Sequence, residues 1–173
     1  MQQISFKPRS LRSNFRLEVR DLDRVIKVRE NHHRLLLQNY ATFIKGRMDW
    51  STVSLRDILG NWDSIAAGTA LNICKVSLGT GAAAESPTDY TLTTRTEITT
   101  GIIGTVSIAG NQISFPVTGS IVPAVNRTYT EAAWSIGSGA DDGSQYLCQR
   151  EVFAGVAVNA GQTATATFTV TFN

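Results

Sequence analysis

The chain has 173 residues, a length that suits one domain with an appendage or two small modules. Hydrophobic residues make up 42% of it, enough to form a core, whereas charged residues make up only 17%, below the roughly 25% typical of soluble domains. No stretch approaches the roughly 20 apolar residues of a membrane span, and the amino terminus lacks an apolar signal core. We therefore expect a protein that is made in a cytoplasm, stays there and does not enter a membrane.

The charge is divided unevenly along the chain. Residues 1–60 contain 12 Lys and Arg against 6 Asp and Glu, a net charge of +6, and residues 61–173 contain 4 against 8, a net charge of −4. This division predicts two regions: a basic amino-terminal arm with a helical docking segment over residues 1–70, and a mildly acidic body over residues 71–173.

The first region begins with a segment, residues 1–20, that has no sustained period and that we interpret as an extended arm. Residues 21–46 then show apolar and polar side chains at alternating spacings of three and four, which favours a helix capped by Asp21 and Gly46. The positions of this repeat are Leu22, Ile26, Arg29, His33, Leu36, Tyr40 and Phe43. A hairpin formed by "RLEVR" and "RVIKVRE" is the competing interpretation, because both segments alternate. A further short helix is predicted at "STVSLRDILGNW", residues 51–62.

The second region reads as strands separated by turn-forming residues. About seven strands are predicted, at residues 71–78, 91–99, 102–108, 112–122, 127–136, 146–158 and 163–172. The sharpest hairpin is "TVSIAGNQISF", and Pro116 within a strand implies a sheet edge or a bulge. This pattern predicts a mainly β fold, an antiparallel β-sandwich preceded by the arm and its helical segment.

The last strand alternates threonine with apolar residues over residues 163–172. One face therefore carries hydroxyl groups, including those of Thr165, Thr167, Thr169 and Thr171, and the other face, with Phe168, Val170 and Phe172, is expected to point into the core. The threonine face either meets solvent or forms an uncharged interface with a neighbouring subunit.

Residue types that carry chemistry are sparse and badly spaced. His32 and His33 are adjacent and diverge on a helix or a strand, so they make a poor metal pair. The glycine-rich segment at residues 77–86 has no nearby lysine and is interpreted as a structural loop rather than a phosphate-binding loop. Cys74 and Cys148 lie in apolar runs and are interpreted as reduced core thiols, although a disulfide stays open. We expect no enzyme, no cofactor and no metal.

The arginines of the first region are candidates for docking onto a partner. They are Arg9, Arg12, Arg16, Arg20, Arg24 and Arg29. We do not expect nucleic acid as a partner, because Glu18, Asp21, Asp23 and Glu30 dilute the positive field. Arginine alternating with aliphatic residues suits a mixed polar and apolar protein interface instead.

Three stretches of the second region carry a family likeness. The segments "VSLGTGAAAESPTDYTLTTRTEI" (76–98), "RTYTEAAW" (127–134) and "CQREVFAGVAVNAGQTATATFTVTF" (148–172) resemble small structural proteins of tailed bacteriophage virions. In that resemblance Gly79 and Gly81 correspond to turn formers, Asp89 to a strand-entry cap, and Arg150 and Phe153 to packing positions.

The resemblance implies an assembly component of the virion, formed in the host cytoplasm: a head-decoration, collar or neck, tail or fibre-attachment protein. It also implies capsid, portal or tail subunits as partners and a homo-oligomer of symmetric copies. The alternative function is a carbohydrate- or receptor-binding β-sandwich, with Trp134, Tyr129 and Tyr146 as candidate stacking residues.

Overall fold

The computed structural model describes residues 11–33 and 37–172. The first ten residues of the expected arm, which include the predicted docking residue Arg9, lie outside the described residues. Twelve strands and one α-helix are found within those ranges. They are β1 (Leu11–Asp21), β2 (Arg24–His33), α1 (Gln38–Met48), β3 (Val53–Arg56), β4 (Trp62–Ile65), β5 (Ile73–Gly79), β6 (Arg95–Thr100), β7 (Ile102–Ile103), β8 (Ser107–Ala109), β9 (Gln112–Ile121), β10 (Arg127–Gly137), β11 (Gln145–Val158) and β12 (Thr163–Phe172).

The strands form two main antiparallel sheets and a small hairpin. A six-stranded sheet has the order β2-β1-β12-β9-β7, with β8 also paired to β9, and a four-stranded sheet has the order β11-β10-β5-β6. Strands β3 and β4 form a separate two-stranded sheet, in which Leu55 and Ile65 pack against Tyr146 of β11. The predicted mainly β, antiparallel, sandwich-like class is therefore confirmed.

One core lies between the two sheets. It takes Ala164, Ala166, Phe168 and Val170 from β12, all with no exposed surface, while the threonines between them are half-buried. The Phe15 ring on β1 stacks on Phe153 of the other sheet at 5.1 Å between centroids. The period-two pattern of β12 thus does what alternation predicts, burying one face and leaving the hydroxyl face outward.

The amino-terminal strand is an internal strand of this sandwich. β1 pairs with β12 over ten residue pairs, from Leu11 with Phe172 to Arg20 with Thr163, and with β2 on its other side. Its apolar positions Phe15, Leu17 and Val19 belong to the same core as β12. Residues 11–33 are therefore a hairpin of the main sheet rather than an arm detached from the body, and residue 70 does not separate two cores.

The predicted helix over residues 21–46 is wrong for its first half, where the competing hairpin is present. The chain turns at Leu22 and Asp23 and returns as β2, and only Gln38–Met48 is helical. Val25, Ile26 and Val28 are β-branched and favour extended backbone, and pairing with β1 supplies the backbone hydrogen bonds. The three-and-four spacing was misleading because a short alternating hairpin also places apolar residues at such intervals.

The predicted helix at residues 51–62 is also wrong. Val53–Arg56 and Trp62–Ile65 pair as β3 and β4 around a turn at residues 57–61. The buried carboxylate of Asp57 holds that turn, since its Oδ1 accepts hydrogen bonds from the backbone N–H of Leu59 at 2.9 Å and of Asn61 at 2.8 Å. An Asx-type turn of this kind competes directly with a helix.

Several finer predictions are confirmed with small changes, and one is wrong. The hairpin of "TVSIAGNQISF" is present as β8 and β9, and because Ala109 pairs with Gln112 its connection consists of Gly110 and Asn111. The edge or bulge predicted at Pro116 is not found: Pro116 lies in the internal strand β9 and pairs with Thr169 of β12, and on its other side it falls between the points where β7 and β8 pair with β9. Both cysteines are buried free thiols, and burial raises the pKa of Cys74 to about 12 and that of Cys148 well above its ordinary value.

Candidate assembly site

The threonine face of β12 lies at the middle of the outer surface of the six-stranded sheet. Thr165 faces Ser120 across β9 with 2.9 Å between their hydroxyl oxygens, and Thr167 faces Thr118 at 3.3 Å. Thr169 and Thr171 continue the row opposite Pro116 and Ser114. The hydroxyls of this face thus bond partly to each other, and the surface that they form is polar and uncharged.

Three of the predicted docking arginines, Arg12, Arg16 and Arg20, lie beside this face on β1, whereas Arg29 on β2 pairs with the buried Leu17 and lies on the opposite face of the sheet. Arg12, Arg16 and Arg20 are exposed on β1, and Arg24 and Arg29 are exposed on β2. Glu18 accepts a hydrogen bond from Arg20 Nε at 2.5 Å and another from Arg16 Nη2 at 2.7 Å. Because of the hydrogen bond from Arg20 above all, the pKa of Glu18 is lowered. Arg16 and Arg20 therefore already form ion pairs with a carboxylate of their own strand.

The far end of the β1–β2 hairpin carries a group of exposed aliphatic side chains, which we call the hairpin tip. Its members are Leu22, Val25, Ile26 and Val28. Leu22 is 93% exposed and has a φ of 51°, in the left-handed region where non-glycine residues are uncommon. Leu22 is the first of the two loop residues between Asp21 and Arg24, and such hairpin turns require a positive φ at that position, so the turn imposes this conformation and leaves the side chain in solvent.

An open apolar groove of about 250 Å³ lies at one end of the sandwich, between α1 and the strands β7, β9 and β10. Residues that line it include Tyr40, Phe43, Ile103, Val106, Phe115 and Trp134. The Tyr40 ring packs edge-on against Trp134 with 5.2 Å between centroids. Burial raises the pKa of the Tyr40 hydroxyl far above its ordinary value, so this wall stays uncharged.

The rim of this groove is also apolar. Val106, which lines the groove, is 55% exposed, and the nearby Ile108 on β8 is 73% exposed, whereas the exposed Ile102 on β7 pairs with Thr118 and lies on the outer threonine face. The rim and the hairpin tip lie at opposite edges of the same six-stranded sheet, because β2 and β7 are its two outermost strands. Contiguous apolar surface on a folded chain commonly marks an interaction site.

A buried polar network stabilises the loop that follows β5. Glu131 Oε1 accepts from the N–H groups of Gly81 at 3.0 Å and Thr94 at 2.7 Å, and its Oε2 accepts from Arg150 Nη2 at 2.9 Å. Arg150 also donates to Asp89 Oδ2 at 2.8 Å, and its pKa is raised because its bonds to Asp89 and Glu131 outweigh the effect of burial. Arg150, which the resemblance gives as a packing position, is thus a buried cation with a structural role.

A second buried group joins β1 and β2 to β11. Gln149 donates to Glu151 Oε1 at 2.6 Å, and Asn31 on β2 donates to Glu151 Oε2 at 3.3 Å. Ser13 on β1 and Trp134 both donate to Gln149 Oε1, at 2.6 Å and 3.1 Å. Burial, assisted by the nearby Glu85, raises the pKa of Glu151 to about 8 against the opposing effect of its amide donors.

The aromatic residues proposed to stack a glycan are not available for it. Trp134, Tyr129 and Tyr146 are all buried. Aromatic residues in strands pack in the core more often than not, and nothing in the local sequence separates these three from the exposed Trp50 and Trp62.

Other classes of site find little support in residues 11–33 and 37–172. No group of three or more His, Cys, Asp or Glu gathers there in a way that could hold a metal ion. Likewise, none of the helices formed by those residues is both long enough and apolar enough to span a membrane.

Comparison of the chain with protein-family models, with curated proteins and with solved structures finds no match.

Proposed function

We propose that this chain is a structural subunit of a tailed-phage virion that assembles in symmetric copies, with the hairpin tip of one copy seated in the apolar groove of the next. The resemblance of segments within residues 76–172 to virion proteins supports the proposal that the chain is part of a virion. The 93% exposure of Leu22 at the end of the β1–β2 hairpin is the observation that carries the assembly mode.

Size and chemistry favour the groove as the place where the tip docks. The groove of about 250 Å³ can accept an aliphatic side chain, and its aromatic walls match the apolar surface of the tip. Burying a leucine side chain contributes roughly 1.5–3 kcal/mol. The basic residues Arg20, Arg24 and Arg29 around the tip would meet a body whose residues 61–173 have a net charge of −4, from 4 Lys and Arg against 8 Asp and Glu.

The placement of tip and groove determines the kind of assembly. A contact that joins two different surfaces of the same chain is heterologous, and it forms a closed ring when the rotation between copies closes. Tip and rim lie on opposite edges of one sheet, so each copy offers one of each to its neighbours. Rings of this kind suit head, neck and tail positions of a particle.

The virion assignment is tested by the composition of the particle itself. Purified virions of a phage that encodes this chain should contain it at a fixed copy number by quantitative mass spectrometry, and cryo-electron microscopy should place its two sheets in a symmetric ring. Absence of the chain from purified virions, with abundance in the infected-cell lysate, would contradict the assignment.

A further inference from the structure

A second, smaller cleft lies away from the apolar groove, where three parts of the chain meet. It measures about 140 Å³ and is enclosed by the start of α1, the β3–β4 hairpin and the loop at residues 86–90. Its lining consists of Gln38, Asn39, Arg56, Trp62, Thr88, Asp89 and Tyr90. Pockets for drug-sized ligands usually measure about 300–1,000 Å³, so this cleft fits a much smaller molecule or one terminal unit of a longer one.

Hydrogen bonds hold α1 against the other two walls of the cleft. Asn39 donates from Nδ2 to the carbonyl of Arg56 at 2.7 Å and accepts from the N–H of Arg56 at 3.0 Å. The N–H of Gln38 donates to the carbonyl of Pro87 at 2.8 Å. These bonds fix the helix start to both the hairpin and the loop, so the cleft is formed before any ligand arrives.

The loop wall is anchored to the buried network. Asp89 accepts from Arg150 Nη1 at 2.8 Å and from the N–H of Ser86 at 2.9 Å, both through Oδ2. Asp89 also lines the cleft, which places a carboxylate acceptor in its wall. A preorganised acceptor of this kind loses little entropy on binding.

The cleft combines aromatic surface with planar polar groups. Trp62 is 63% exposed, and the Arg56 guanidinium carbon lies 3.7 Å from the centre of the Tyr90 ring. Arg56 Nε donates to the carbonyl of Gly60 at 3.0 Å, which fixes the plane of the guanidinium. Arg56 and Trp62 are direct cross-strand partners, so the cation and the indole ring share one wall.

The charges of the cleft select among ligand classes. Arg56 disfavours a cation, and Asp89 disfavours an anion, whereas a hydroxyl group can accept from the first and donate to the second. Exposed aromatic rings can pack against the apolar C–H face of a saturated ring, and amide, guanidinium and carboxylate groups can bind the hydroxyls of that ring. A neutral molecule with one apolar face and several hydroxyls satisfies all of these groups together.

We propose that this cleft, built around Trp62, Arg56 and Asp89, binds a single neutral hexose unit, such as the terminal sugar of a glycan. The glycan-binding role considered from the sequence is thereby moved from three buried aromatic residues to an exposed one. The inference does not depend on the assembly proposed above, because the cleft lies within one copy of the chain and shares no lining residue with the groove.

The test titrates the full chain with the methyl glycosides of glucose, galactose, mannose and N-acetylglucosamine, followed by two-dimensional amide NMR. A ligand with so few atoms is expected to bind at least one of these glycosides with a Kd in the millimolar range. Amide shifts should be confined to residues 38–39, 56–62 and 86–90. Trp62→Ala should weaken binding at least tenfold, and Gln38→Ala should weaken it to a smaller degree.

Trp50→Ala is the matched control, because Trp50 is 73% exposed and lies outside the cleft. It should leave the Kd unchanged, and both tryptophan variants should keep the parent NMR spectrum elsewhere. No shift with any of the four glycosides up to about 50 mM would overturn the proposal. Equal losses in Trp50→Ala and Trp62→Ala, or tighter binding of acetate or phosphate than of any glycoside, would also overturn it.

Discussion

The guanidinium of Arg150 and the carboxylate of Glu131 form an ion pair inside the protein, with both Nε and Nη2 of the arginine donating to Oε2 at 3.0 Å and 2.9 Å. The side chain of Arg150 is 2% exposed and that of Glu131 is not exposed at all. Glu131 also accepts hydrogen bonds from the N–H groups of Gly81, Thr93 and Thr94, so the ion pair holds both ends of the loop between β5 and β6.

Removing the cation should destabilise the fold strongly. In Arg150→Met the carboxylate of Glu131 stays buried without its counter-charge, and the loss expected for breaking a buried pair is about 3–5 kcal/mol. Urea unfolding followed by tryptophan fluorescence measures the change. The control is Arg127→Met, because Arg127 forms a partly exposed ion pair in which its Nε lies 3.7 Å from Glu97 Oε1. Losing that pair should lower the free energy of unfolding by less than about 1 kcal/mol. Equal losses in the two variants would contradict the structural role of the buried pair.

Gly81 allows Glu131 to approach the loop. A Cβ at this position would lie 2.5 Å from Glu131 Oε1 and 2.6 Å from Thr93 Cβ, well inside ordinary contact. Gly81→Ala should therefore lower the free energy of unfolding by about 1–3 kcal/mol. Gly68→Ala, where a Cβ meets nothing within 4 Å, should leave stability unchanged or slightly raised. A Gly81→Ala protein as stable as the parent would show that the loop yields without cost.

Glu151 should make stability depend on pH. Its folded-state pKa, raised by burial to about 8, lies above the value of 4.5 expected for the unfolded chain. The folded state therefore binds the proton more tightly, and the contribution of this group to stability is fully present below about pH 4.5 and is lost as the pH rises through 8. The limiting slope is about 1.4 kcal/mol for each pH unit in that window.

Glu151→Gln isolates this contribution. The amide cannot ionise, so the variant should gain stability relative to the parent between pH 6 and pH 9, as measured by urea unfolding at a series of pH values. A constant difference between variant and parent over that range would show that the carboxyl of Glu151 titrates normally in the folded protein.

The hairpin tip should control association of the chain with itself. Leu22→Asp places a charge where the proposed contact buries an aliphatic side chain, and the association constant should fall by at least tenfold, which corresponds to about 1.4 kcal/mol. Light scattering over a concentration series measures it. Leu59→Asp is the control, because Leu59 is 62% exposed in the turn between β3 and β4, away from both tip and groove. A monomeric parent at all concentrations, or equal effects of the two substitutions, would rule out the tip as the contact.

Strand positions were predictable where a single local pattern decided them. Strands β9, β10, β11 and β12 follow their predicted ranges closely, because alternation and turn residues agree there. The β1–β2 hairpin was harder to predict, since its apolar residues fit a helical spacing as well. The ambiguity is resolved only because β1 pairs with β12 and because Phe15, Leu17 and Val19 pack in the core between the two sheets.

The sites depended on distances that no local pattern encodes. Leu22 is an ordinary leucine in the sequence, and its exposure follows from a turn that a helix would not have. The cleft around Trp62 joins residues that are up to 52 positions apart, from Gln38 to Tyr90. Exposure of Trp62 and burial of Trp134 are likewise set by the packing of the two sheets.

Photo-cross-linking from the hairpin tip tests the proposed assembly most directly. The full chain with Leu22→p-benzoylphenylalanine is irradiated at a concentration where it associates, and cross-linked peptides are identified after mixing isotopically light and heavy protein. We expect light–heavy cross-links from position 22 to residues 40–43 or 103–108 of a second copy. Cross-links confined to one copy, or directed to the outer threonine face of another, would contradict the seating of the hairpin tip in the groove.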